Sequence, residues 1–200
     1  MRRLLFTLAV ILIGANGIAQ EEQLPSCVKE FLDLDKDKPF GERNVNAPKG
    51  LEQFGQLTGV WEMVTHAERN GKWYTGWPAI WTWKYVLDGS NILDYFYRSK
   101  ENTPPTGQPK MDIHAYNLRV YDKETDSWSI TWAANNSGEY RYKAEFKNGE
   151  IWMVPADDKS PKMRIIFSEI TKDSFKWHVE TPNKDGEWTH NQYLMAKRLM

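Results

Sequence analysis

The groups with chemistry to offer in this chain of 200 residues are four histidines, one cysteine and a few charges set into apolar rows. His66, His114, His178 and His190 fall on four different segments, and no two have the close spacing of a helical zinc motif. Each therefore reads as a structural or surface imidazole. Only strands that adjoin in space could pair two of them, or offer one to a haem iron. Cys27 is the sole cysteine, so an intramolecular disulfide and a cysteine-based zinc site are both excluded.

Asp94 alternates with Ile92 and Phe96, Arg119 with Ala115 and Tyr121, and His190 with Trp188 and Leu194. Arg164 sits between Met163 and Ile165. An arginine buried without a partner is costly, so any that point inward need a carboxylate, a ligand anion or water. Asp94 and Glu180 are the acids on neighbouring elements. Nucleophile signatures are missing: there is no G-x-S-x-G elbow, no glycine-rich phosphate loop and no Cys-His arrangement. Asp33-Leu34-Asp35-Lys36-Asp37 resembles the start of a calcium loop, but Lys38 stands where that loop needs glycine and Asn44 where it needs glutamate. No metal site is expected.

The elements that must carry these groups are strands. Ten tryptophans, nine tyrosines and eight phenylalanines suit a β-rich core. From Gly59 onward the pattern alternates, with a turn signal every ten residues or so. The expected strands are Val60 to His66, Ile80 to Leu87, Asn91 to Ser99, Asp112 to Tyr121, Trp128 to Ala133, Glu139 to Phe146, Glu150 to Val154, Lys162 to Ser168, Phe175 to Glu180 and Glu187 to Arg198. Asn70-Gly71, Asp88-Gly89, Asn148-Gly149 and a longer loop over Glu101 to Pro109 join them. With no helix long enough for a crossover, the fold class is all-β. It is an antiparallel up-and-down barrel of about ten strands over residues 51–200, with a short helix over Leu51 to Leu57 closing one end. Trp81, Trp83 and Tyr85 share one face, as do Trp128, Ile130 and Trp132, and Phe175, Trp177 and Val179. Period-two logic leaves open whether these rows face a cavity or a core.

Ahead of the barrel, Arg2, Arg3 and the apolar run Leu4 to Ile13, followed by Gly17-Ile18-Ala19, read as an export signal over residues 1–19. Its run is short of the roughly 20 apolar residues that span a bilayer, so no membrane span remains after cleavage. The location is periplasmic or secreted. Residues 20–50 read as a polar leader, with Ser26 capping a short helix through Leu34. Cleavage leaves 24 basic against 27 acidic residues, a net charge of −3. No basic stripe tracks a phosphate backbone, so nucleic acid is not an expected partner.

Several spaced motifs resemble a known family. Gly59-Val60-Trp61 is similar to the G-x-W opening of calycin barrels such as the lipocalins, and Arg198 resembles the arginine that packs over that tryptophan. Trp83 through Leu87-Asp88-Gly89 to Asp94, Leu118-Arg119-Val120-Tyr121-Asp122 with Trp128 and Trp132, and Arg164-Ile165-Ile166-Phe167 followed by Ile170-Thr171 and Ser174-Phe175-x-Trp177 resemble the DUF1579 family of bacterial lipocalin-like proteins over about residues 50–198. The resemblance implies a ten-stranded barrel with an internal cavity, in which Trp61 and Arg198 are structural. The related nitrobindin barrels hold haem through a histidine near the chain end. His190 is the candidate by position, but its surroundings do not match that motif, and no cofactor is expected.

The leading expectation is thus an exported, non-enzymatic barrel binding a small apolar or amphipathic ligand among Trp83, Trp132 and Trp177. Asp94, Arg119, Arg164 and His190 would orient that ligand. One alternative is a lyase, hydratase or isomerase using Asp94 with His114 or His178 as acid and base. Another is an envelope protein with a solid barrel interior.

Overall fold

The computed structural model describes residues 23–69, 71–102, 110–158 and 160–200. The expected export signal, Asn70 and most of the loop after Glu101 lie outside the described residues.

Ten strands are present: β1 (Gly59–Arg69), β2 (Lys72–Val86), β3 (Asn91–Arg98), β4 (Ile113–Asp122), β5 (Ser127–Ala134), β6 (Gly138–Lys147), β7 (Glu150–Pro155), β8 (Arg164–Ser168), β9 (Ser174–Pro182) and β10 (Trp188–Arg198). Each pairs antiparallel with its sequence neighbour, and β1 pairs with β10, so the sheet closes into a barrel with no free edge. The expected strands correspond to these ten, with one large difference. β2 begins at Lys72, eight residues before the expected start at Ile80. Gly76 and Pro78 interrupt the alternation there. Thr65 pairs with Trp77 and His66 with Thr75, so Gly76 is the extra residue of a bulge. Pro78 is tolerated because pairing to β3 starts only at Ile80, leaving its missing N–H on an unpaired side.

Alternation sends Trp61, Met63, Trp81, Trp83, Ile92, Trp128, Ile130, Phe167 and Phe175 into one interior cluster. A short helix, α2 (Glu52–Gly55), plugs the end of the barrel where these rings are densest. Phe54 is fully buried, stacks on Trp83 at 5.9 Å and meets the Trp128 ring edge-on at 4.9 Å. Burying each such ring is worth about 2–3 kcal/mol. Trp61 donates from Nε1 to the Leu57 carbonyl at 2.7 Å, and the Arg198 guanidinium lies 4.0 Å from its ring centre. Arg198 also donates to the carbonyls of Gln56, Thr58 and Lys172, capping the helix end and tying β10 to the plug. Gly59 adopts φ +133°, and a Cβ on it would fall 2.2 Å from Arg198 Nη1.

The leader is less irregular than its composition suggests. Helix α1 (Ser26–Leu32) follows Pro25, which holds the N-cap position assigned above to Ser26. It ends at Leu32 and continues as a 3₁₀ turn over Asp33–Asp35. Leu24, Val28, Phe31 and Leu32 recur at helical spacing and are buried against Val60 and Tyr95 on the outer wall. Lys84, on the outer face of β2, donates to the Phe31 carbonyl at 3.3 Å beneath this helix. Burial pushes its ammonium pKa down. Cys27 is a free thiol, half-buried in the same seam.

Candidate ligand cavity and the polar clusters around it

Above the plugged end the barrel holds a cavity of about 710 Å³. Its walls are Trp81, Phe96, Trp132, Tyr142, Phe167 and Trp177, and Asn117 and Arg119 supply polar groups between them. Towards the opposite end of the barrel it is lined by Glu68, Arg98, Asn136, Ser137, Thr189 and His190. A solid interior is therefore not what this sequence builds.

The polar floor is one network. Asp94 faces Asn117 across β3–β4 and Trp83 across β2–β3. Its Oδ1 accepts from Trp81 Nε1 and from Asn117 Nδ2, each at 2.6 Å, and its Oδ2 accepts from Arg119 Nε at 2.6 Å. The Arg119 guanidinium carbon lies 4.3 Å from the centre of the Phe54 ring and 4.4 Å from that of Trp83. Burial pushes the Asp94 carboxyl up and the Arg119 guanidinium down, and their mutual attraction pulls each back. Three donors on one carboxylate and a cation held between two rings meet the conditions for keeping a buried pair charged.

Sequence reasoning missed Arg98. It continues the inward row Ile92, Asp94, Phe96 and lines the cavity at the end opposite the plug. Its buried Nε has no hydrogen-bond partner among the described residues, and desolvation lowers its pKa. The period-two pattern of β3 already carried this signal.

The expected ligand residues divide between the cavity, its floor and the outer wall. Trp132 and Trp177 line the cavity, whereas Trp83 is wholly buried in the floor and Asp94 is screened by its own donors. Arg164 is on the outer wall. It pairs in register with Glu180, which pairs with His190, so the three side chains stand on one outer face across β8, β9 and β10. His190 was expected to share a face with Leu194. A bulge between His190 and Gln192 inserts one residue and reverses the alternation, sending Gln192 inward and the His190 ring to the outer side of the rim, where the residue still borders the cavity mouth. Arg164 Nε donates to Glu180 Oε2, and its guanidinium lies 4.4 Å from the Trp188 ring centre and 4.9 Å from that of Trp152. Glu180 Oε1 lies 2.7 Å from His190 Nε2 and 3.4 Å from His178 Nε2, and the two imidazoles stack at 4.4 Å. Burial acts to raise the Glu180 carboxyl, but Arg164 and the two histidines outweigh it and hold it below the usual carboxylate range. Burial lowers the His178 pKa, and the neighbouring His190 lowers it further.

The acid–base set does not assemble. His114 pairs in register with Tyr97, out of phase with Asp94 and Asn117, and its Nδ1 lies 2.7 Å from the Tyr95 hydroxyl on the outer wall. His178 belongs to the outer cluster just described. Asp94 faces inward, with the strand between it and either imidazole.

No protein-family model matches the chain, and no curated protein matches it. Solved structures share its fold. The S-type phycobiliprotein lyase CpeS from Guillardia theta superposes over 74% of this chain and 90% of its own, at 10% identity and a TM-score of 0.51. Rv2717c from M. tuberculosis covers 76% of this chain and 99% of its own, also at 10% identity, with a TM-score of 0.49. The fold is that of a calycin-like barrel. Among the described residues no helix is long and apolar enough to cross a membrane.

Proposed function

We propose that this protein is an exported, DUF1579-like barrel that holds one small amphipathic molecule in its interior. The observation that carries the reading is the cavity of about 710 Å³ with aromatic walls and a few convergent polar groups. That volume falls within the roughly 300–1,000 Å³ of small-molecule sites. Trp132, Trp177 and Phe96 take the apolar body of the ligand. Arg119 has its charge balanced by Asp94, so with Asn117 it offers N–H donors to an uncharged acceptor at the floor. Arg98, with no ion-pair partner among the described residues, receives a negative group at the other end. The likeness in fold to a barrel named as a phycobiliprotein lyase fits an interior that admits small molecules.

Titrating the purified protein with fatty acids, haem and aryl glycosides while following tryptophan fluorescence tests this. Saturable quenching by one class is expected, reduced in Trp132→Phe and Trp177→Phe. Absence of a saturable response to every class, together with no molecule co-purifying by mass spectrometry, would sink the proposal.

A further inference from the structure

We propose that His178, Glu180 and His190 form a mononuclear binding site for a divalent transition cation on the outer wall of the barrel, beside the open rim where His190 also borders the cavity mouth. Three ligand atoms of suitable kind converge there. One ring nitrogen of His178, one of His190 and one oxygen of Glu180 lie within 4.8 Å of one another, the only such group among the described residues. Two imidazoles and one carboxylate suit zinc and its first-row neighbours, and three protein ligands leave room for water. Ligand atoms about 2.0–2.1 Å from a tetrahedral ion are roughly 3.4 Å apart. The His178 to Glu180 separation of 3.4 Å already meets this. The His190 to Glu180 contact of 2.7 Å is a hydrogen-bond distance, so His190 must draw back by less than an ångström and also turn out of its 13° stack on His178 for both lone pairs to meet one ion. His190 is the ligand free to move, since its side chain is 55% exposed against 16% for His178.

The site is braced as metal sites are. Arg164 takes Glu180 Oε2 and leaves Oε1 to the histidines, so the carboxylate is oriented by a second partner. Trp152 and Trp188 hold that arginine in place. The β10 bulge is what delivers His190 to this face, so the cluster depends on a local departure from regular pairing, a feature often found next to functional sites.

The test is calorimetric titration of Zn²⁺ into untagged protein, with the visible spectrum of the Co²⁺ form as a report of coordination. One ion per chain is expected. His178→Ala and His190→Ala should each weaken binding by roughly tenfold or more, while His114→Gln leaves it unchanged. Glu180→Gln removes the third ligand but also frees Arg164, so a folding defect in that variant is anticipated. The deciding variant is therefore His190→Ala, whose exposed side chain can be removed with the near-ultraviolet circular dichroism preserved. No stoichiometric binding, or wild-type affinity in both histidine variants, overturns the site.

Discussion

Arg119 and Asp94 neutralise each other inside the barrel, joined at 2.6 Å with side chains no more than 1% exposed. The pair sits where the aromatic floor meets the cavity, and breaking it from one side strands a charge. Asp94→Ala should cost about 3–5 kcal/mol of stability, because it leaves Arg119 buried and uncompensated. Replacing both, as Asp94→Leu with Arg119→Met, should recover part of that loss, since Trp81 Nε1 and Asn117 Nδ2 still lose their acceptor. Urea midpoints of Asp94→Leu, Arg119→Met and the double variant check it, and additive losses would contradict the coupling.

Arg98→Gln should weaken binding of an anionic amphiphile about tenfold, or 1.4 kcal/mol, and leave an uncharged analogue of the same length unaffected. Paired fluorescence titrations with the two ligands read this directly. Equal weakening of both would mean that Arg98 acts through packing, not charge.

The plug depends on a close approach. Gly59→Ala places a methyl on Arg198 Nη1 at a backbone angle that side chains rarely adopt. A loss of roughly 1–3 kcal/mol is expected, visible in the thermal midpoint. Phe54→Ala should cost more, roughly 3–5 kcal/mol. It should also enlarge the ligand space at its floor, so that longer ligands gain affinity relative to short ones.

Tyr121 carries a pH signature. Its hydroxyl donates to Asp126 Oδ1, and that bond, with some desolvation and the Asp126 charge, pushes the phenol up to about 12. A phenol raised above its unfolded value near 10 stabilises the fold fully below that pH and loses the contribution as pH climbs through about 12. Burial raises the phenols of Tyr85, Tyr95, Tyr97, Tyr116 and Tyr142 as well, so a spectrophotometric tyrosine titration should show several late-titrating groups, of which Tyr121→Phe removes one.

Much of the barrel was legible because alternation and turn chemistry agree along most of the chain. Asp88-Gly89 and Asn148-Gly149 mark their hairpins, and nearly every strand lies within a residue or two of its expected bounds. The exceptions share a cause. Gly76 and the residue inserted after His190 are bulges, and each shifts the period by one, hiding half of β2 in one case and reversing the face of His190 in the other. Arg164 and His178 were misplaced because period two separates two faces without saying which is inside. The buried contact of Asp94 with Arg119 was foreshadowed by the need of an inward arginine for an acid. Its further donors, Trp81 and Asn117, come from cross-strand register that one sequence does not reveal.

The plug at Phe54 makes the cavity a dead end. A molecule that goes in past Arg98 and Thr189 has to come out the same way, reversing its path. Its residence time is then governed by the rim and its affinity chiefly by the walls and floor, so the two can be tuned by different residues. Rim substitutions that spare Arg98, whose charge contributes to affinity, should speed or slow uptake and release together while leaving the equilibrium nearly fixed.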